Sequence, residues 1–216
     1  MADSIHSGSR LRLGVLASGG GTNLQAILDR IQDGFLDAEV GVVISNNSQA
    51  GALERARARE VPALHISSRQ FPDSADLDAE MLRTLRGHGV GLVALAGYMK
   101  RLGPRVLGAY PDRILNIHPA LLPAFGGQGM YGMRVHEAVV AAGVKLTGVT
   151  VHFVDEVYDH GPIIAQRAVP VEDEDTPESL FERVLKVEHS LYPEVLQGFA
   201  EGRVRVEGRK VYVQNP

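Results

Sequence analysis

A carboxamide and an imidazole two residues apart, Asn116 and His118, stand within Ile114-Leu-Asn-Ile-His-Pro-Ala-Leu-Leu-Pro123. The residues around them are apolar, and positions two apart on a strand project to the same face. Both polar heads therefore leave the end of one buried strand together, where Pro119 removes a backbone donor and closes the ladder. Taken alone, the stretch also fits a strand that merely finishes hydrophilic before a proline-rich loop. A second constellation, Asp155-Glu-Val-Tyr-Asp-His-Gly-Pro162, leaves the run that holds His152. Asp159, ahead of its Gly-Pro turn, either caps its own backbone or reaches His118, where a carboxylate would favour the protonated ring. The chain has no cysteine and no Gly-x-Ser-x-Gly elbow, so a covalent intermediate has no obvious carrier. Direct transfer fits better: a substrate amine attacks a bound carbonyl carbon while Asn116 and His118 hold the oxyanion. His152, His160 and Asp159 together suggest a metal site, but His152 reads as mid-strand and no carboxylate-rich pocket accompanies it. No metal is expected.

The third feature is the loop Gly19-Gly-Gly-Thr-Asn23, set between a strand and a helix, where free N–H groups and the helix dipole favour an anion. It is not a dinucleotide fingerprint, because the third glycine would fall at Leu24 and the next strand ends in Ser45-Asn-Asn47 without an acidic residue. Nor does a Lys-Ser or Lys-Thr pair follow, as a Walker loop requires. A phosphate monoester is its natural occupant, and a plain tight turn is the alternative.

The elements that must position these groups are legible from pattern. Apolar runs at 11–17, 40–44, 63–66, 92–96 and 114–118 read as strands, and helices between them are expected at 24–31, 53–60, 75–86 and near 104–107. Such alternation predicts a doubly wound, mostly parallel Rossmann-like α/β sheet with helices on both faces. Beyond Pro123 the chain changes character. Residues 125–132 hold four glycines and read as a mobile lid. A helix at 134–142 and two strands, 148–154 and 162–169, follow, the strands forming an antiparallel hairpin. Thr176-Pro177 opens a long helix with its stripe at Leu180, Val184, Val187, Leu191 and Val195, which Pro193 must kink or split. Residues 204–213 read as a terminal hairpin. The organisation expected is a flexible tail over 1–10 and one domain over 11–216.

Bulk composition sets the class. The 216 residues are 44% apolar and 22% charged, with 22 basic against 26 acidic side chains and a net charge of −4. No Lys/Arg cluster tracks a phosphate backbone, so nucleic acid is not an expected partner. No apolar run reaches the roughly 20 residues a membrane helix needs, and the start lacks a secretory core. The reading is a soluble cytoplasmic protein, a monomer or a homodimer, acting on small molecules.

Three motifs then carry a family resemblance: Ser18-Gly-Gly-Gly-Thr-Asn-Leu-Gln25, Asn116 to Pro123, and Thr150-Val-His-Phe-Val-Asp-Glu-Val-Tyr-Asp-His-Gly-Pro162. Glu188-His-Ser-Leu-Tyr-Pro193 and Leu95-Ala-Gly-Tyr-Met99 support them in the same order. Over Leu11 to Gly202 the chain resembles the phosphoribosylglycinamide (GAR) formyltransferases of the folate-dependent formyltransferase superfamily. The resemblance implies that the glycyl amine of GAR takes a formyl group from 10-formyltetrahydrofolate, a co-substrate, with no tightly bound cofactor. It implies catalytic roles for Asn116, His118 and Asp159. Gly21, Thr22 and Asn23 would grip the GAR phosphate, and Glu188 its ribose hydroxyls. Met99, Lys100, Arg101, Leu102, Asn116, Asp155 and Asp159 would enclose the folate.

The chain departs from the family pattern at Lys100-Arg101, in 72–78 where a common arginine is missing, in the glycine loop 126–131, and at His160. A formyltetrahydrofolate hydrolase is the nearest rival, although such proteins usually carry an N-terminal regulatory domain and about ten residues precede the first strand here. A methionyl-tRNA formyltransferase would need an extra C-terminal domain and a basic surface. A catalytically silent phosphate-ligand binding module is the rival from another class.

Overall fold

The computed structural model describes residues 10–214; the expected tail over 1–10 lies almost wholly outside them. Seven strands form one sheet in the order β3-β2-β1-β4-β5-β6-β7. They are β1 (Leu11–Leu16), β2 (Ala38–Ser45), β3 (Ala63–His65), β4 (Leu92–Leu95), β5 (Ile114–His118), β6 (Leu146–Phe153) and β7 (Ile163–Pro170). Strands β1 to β5 pair in parallel, whereas β6 runs antiparallel to β5 and β7 antiparallel to β6. The doubly wound reading and the 6–7 hairpin both hold. A small antiparallel pair, β8 (Val204–Glu207) and β9 (Lys210–Val213), is the terminal hairpin.

The parallel strands are apolar on both faces because helices cover both. On one face α1 (Thr22–Gln32), α2 (Gly51–Arg57), α5 (Met133–Ala141) and α6 (Pro177–Ala200) pack on Leu13, Val15, Leu92, Leu115 and Val151. On the other, α3 (Ser74–Gly87) and α4 (Pro104–Ala109) cover Leu16, Val42, Val93 and Ile114. Alternate residues of each strand thus feed two cores, the period-two rule applied to a sheet buried on both sides.

Two details differ from expectation. Helix α2 begins at Gly51 and ends at Arg57, so residues 58–60 form a turn with Glu60 at φ 58° instead of a last helical turn. Helix α6 is neither split nor shortened by Pro193, which lies inside a continuous 24-residue helix. Proline removes one bond to the carbonyl four residues earlier, and packing holds the helix across the gap: Leu191, Tyr192, Pro193, Val195 and Leu196 are all buried. The helix opens as expected, with Thr176 accepting from the Ser179 N–H and Ser179 Oγ accepting from the Thr176 N–H.

The strand order reverses between β1 and β4, and a crevice opens at the carboxyl ends of such strands. Here the loops leaving β1 and β4 are stitched together. The Ser18 N–H donates to the Gly97 carbonyl at 3.0 Å, and the Met99 N–H donates to Ser18 Oγ at 2.8 Å.

Candidate active site

A cavity of about 610 Å³ occupies that crevice, and every residue named for catalysis or for binding GAR and folate lines it, whereas His160 does not. Asn116 and His118 leave the end of β5 on one face, as their spacing requires. The antiparallel partner completes the picture: Asn116 pairs with His152 and His118 with Thr150, so His152 shares that face. It is the seventh residue of eight in β6, near the strand's end and not in its middle, and its ring enters the site.

The tautomers follow from the carbonyls, which only accept. His152 Nδ1 donates to the Phe153 carbonyl at 2.8 Å, so Nε2, when it bears no proton, accepts an N–H of Asn116 at 3.1 Å. The second N–H of the Asn116 amide is left for the cavity. His118 Nε2 donates to the Phe125 carbonyl at 2.8 Å, which turns Nδ1 toward Asp159 Oδ2 at 3.7 Å. The Asp159 carboxylate also lies 3.5 Å from His152 Nε2 and accepts the Gly127 N–H at 2.8 Å. Asp159 therefore does not cap its own backbone; it closes a triangle with two imidazoles, from a left-handed backbone with φ 54°.

Electrostatics in this triangle are a contest. Burial pushes His118 below the ordinary imidazole range, and this outweighs the upward pull of Asp159 and of the Phe125 carbonyl. The carboxylate raises the ring's basicity as expected, yet the net direction is down. Burial pushes the Asp159 carboxyl up, but a proton-bearing His152 Nε2, the charge of protonated His118 and the Gly127 N–H together hold it below the ordinary range. The resting pair at neutral pH is thus an ionised carboxylate beside a largely neutral ring.

The glycine loop forms the other end. Gly21 caps α1 with φ 74°, and a Cβ there would sit 2.6 Å from Ala52 Cα, so only glycine fits. No side chain caps the helix, which leaves its first N–H groups free to meet an anion. The Asn23 side chain turns instead to Glu188, donating to Oε2 at 2.6 Å. Burial lifts the Glu188 carboxyl to about 7 against the opposing pull of that bond.

On the outer wall, Met99 is exposed and Leu102 buried. The Arg101 guanidinium donates to the Glu156 carbonyl and lies 6.0 Å from the Tyr158 ring centre, so it braces the loop over 155–159. Asp155 is engaged locally, accepting the Val157 N–H at 2.8 Å and lying 2.9 Å from His160 Nδ1. That contact accounts for His160, which is otherwise exposed. Among the described residues no group of three or more His, Asp or Glu is placed to hold a metal ion, and no helix is long and apolar enough to cross a membrane.

Sequence reasoning missed three features. The roles of His152 and of the Phe125 and Gly127 backbone depend on strand register and loop path, which no single stretch encodes. The cavity also takes in His136 of α5, which carried no signal beyond its helical spacing.

A crevice that gathers an amide, an imidazole and a carboxylate, with no nucleophilic side chain among them, belongs to the enzymes that transfer a group directly between two bound substrates. A family model described as formyl transferase matches residues 11–196. A phosphoribosylglycinamide formyltransferase from Arabidopsis thaliana, described as chloroplastic, is 44% identical over 94% of this chain and 70% of its own length. The crystal structure of glycinamide ribonucleotide transformylase 1 from Symbiobacterium toebii superimposes with a TM-score of 0.91, at 47% identity over 99% of each chain. That of a formyltetrahydrofolate deformylase from Pseudomonas syringae pv. tomato superimposes with a TM-score of 0.86, at 30% identity over 96% of this chain and 67% of its own. The chain belongs to the formyl transferase family and, within it, to the phosphoribosylglycinamide formyltransferases.

Proposed function

We propose that this enzyme moves the formyl group of 10-formyltetrahydrofolate to the glycyl amine of GAR, giving formyl-GAR and tetrahydrofolate in purine biosynthesis. The observation that carries the reading is one cavity with two chemically distinct ends. The free N–H groups at Gly21, Thr22 and Asn23 suit a phosphate, and Asn116, His118 and Asp159 suit a carbonyl under attack. Glu188, bonded to Asn23, is an acceptor for ribose hydroxyls. Met99, Lys100, Arg101, Leu102 and the loop over 155–159 form the wall for the folate.

In this reading the amine lone pair attacks the formyl carbon and the carbonyl electrons move to oxygen. The free N–H of Asn116 and a protonated His118 stabilise that oxyanion. The site favours the transition state over the ground state because burial keeps His118 neutral until negative charge develops beside it. The tetrahedral adduct collapses with cleavage of the bond from the formyl carbon to the folate nitrogen. The proton that the amine loses passes by way of Asp159 to His118 and from there to the departing nitrogen, so both side chains end as they began.

The test follows formyl loss from 10-formyltetrahydrofolate spectroscopically with purified chain, with and without GAR. Loss only with GAR is expected. Loss without it would make the chain a hydrolase, a second reading supported by its similarity to the deformylase. No loss in either tube, with GAR still bound, would identify a silent binding module.

A further inference from the structure

One residue that lines the cavity has no task in the reaction above. His136 lies in the first half of α5, only 1% exposed, and lines the cavity. Its ring meets Phe181 of α6 edge to face, with centroids 5.4 Å apart and planes at 82°, so its orientation is fixed by two elements. Nδ1 is buried without a partner among the described residues, and no hydrogen bond engages Nε2 there either. A buried polar group left unpaired calls for a reason, since leucine or phenylalanine would fill the same space without that cost.

The hydrogen's position follows from the environment. A buried N–H without a partner is rarer than an unsatisfied acceptor, so the enclosed Nδ1 carries the lone pair and Nε2 carries the hydrogen. Burial, and then the nearby charge of His118, push the ring's pKa down to about 4. His136 is therefore a neutral, rigid N–H donor, not a cation, and it stands close enough to His118 to feel its charge.

We propose that His136 is a specificity-determining residue for the acceptor substrate, its Nε2–H donating to the glycinamide carbonyl of GAR. The assignment rests on the proposed formyl transfer. It follows from what shares the cavity: Asn23 and Glu188 are bonded to each other where the proposal puts the phosphoribosyl group, and His136 lies near enough to His118, at the reacting amine, for that ring's charge to act on it. In a glycyl amide the carbonyl carbon lies two bonds from the amine nitrogen. It is the acceptor group nearest the reaction centre and the feature that separates GAR from a bare sugar phosphate.

The experiment titrates full-length chain calorimetrically with GAR and with ribose 5-phosphate, and measures KM for both substrates. His136→Phe keeps the ring against Phe181 and removes the donor. It should weaken GAR binding about tenfold or more, as loss of a buried hydrogen-bond partner does. It should leave ribose 5-phosphate binding and the KM for 10-formyltetrahydrofolate within about twofold. His136→Gln, with an amide N–H reaching the same region, should recover most of the loss, and His136→Met tests the same point should the phenylalanine variant not fold. Unchanged GAR binding in the donor-free variants would overturn the proposal, as would equal loss for both ligands. A wild-type chain that binds no GAR would instead overturn the functional reading beneath it.

Discussion

Asp159 concentrates the site's electrostatics in one side chain, because its two oxygens face His118 Nδ1 and His152 Nε2 while one of them also holds the Gly127 N–H. Asp159→Asn keeps an oxygen for that N–H and removes the charge. The loop should stay in place, and His118, already below its ordinary range, should move further down. The proton needed as the oxyanion forms then becomes harder to supply, and turnover should fall roughly 10²–10⁴-fold, the usual worth of a general acid–base group. Binding of 10-formyltetrahydrofolate, measured by fluorescence titration, should stay within a few-fold. Turnover near the parent value would remove Asp159 from the chemistry. Of this constellation, Asn116 and His118 were readable because strand period and a following proline fix their direction. Asp159 is readable only as one of two alternatives, and His152 reads as mid-strand, which speaks against a metal ligand and gives it no other role. Its place opposite Asn116 is a property of pairing between β5 and β6, a non-local register that the sequence of either strand leaves open.

Elements hold these residues in place through a few backbone contacts. Tyr192, fully buried in α6, directs its hydroxyl at the Leu95 and Leu115 carbonyls, each 3.1 Å away, and so clamps β4 to β5 one residue before Asn116. Tyr192→Phe leaves those carbonyls without that donor and should cost about 1–3 kcal/mol of stability, read by urea denaturation. An unchanged midpoint would show that the strand pairing holds alone. The lid is fixed more tightly than its glycine content suggests, since the Phe125 carbonyl and the Gly127 N–H bond the two catalytic candidates. At Gly126 a Cβ would lie 2.4 Å from Leu122 Cδ2 and 3.2 Å from Asp159 Cβ. Gly126→Ala should therefore push the loop off Asp159 and lower turnover roughly 10–10²-fold, as displacements of about 1 Å do, with little change in melting temperature. Equal turnover would mean that the loop does not set the carboxylate. The parallel half of the fold was legible because its strands are continuous apolar runs separated by amphipathic helices. The lid was not, because glycines permit many paths and only tertiary contacts choose one, and the same contacts carry α6 unbroken through Pro193.

Across the molecule, the cavity sets a conflict between binding and stability, because it keeps two titratable groups away from water with opposite consequences. His136, pushed down to about 4, resists a proton that the unfolded chain accepts near 6.5, so stability falls as pH drops through that interval. Glu188, lifted to about 7, does the reverse. Below pH 4.5 its carboxyl is protonated in both states and burial carries no charge penalty. Between 4.5 and about 7 the unfolded chain releases the proton while the folded chain retains it, so stability declines with rising pH and then levels off. A difference of that size corresponds to about 3 kcal/mol. Glu188→Gln keeps an acceptor for the Asn23 amide and removes the ionisation. It should match the parent near pH 4.5 and exceed it at pH 8, where each kcal/mol raises the melting temperature by about 2–4 °C in a chain of this size. The same variant should bind GAR more weakly at pH 8, since a carboxylate accepts hydroxyl hydrogen bonds better than a neutral amide. A gain in stability that appears equally at both pH values would mean that packing, and not the charge, is what Glu188 strains. No gain at pH 8 would mean that the cavity already solvates the carboxylate, and the tension between holding a ligand and holding the fold would then lie elsewhere in this crevice.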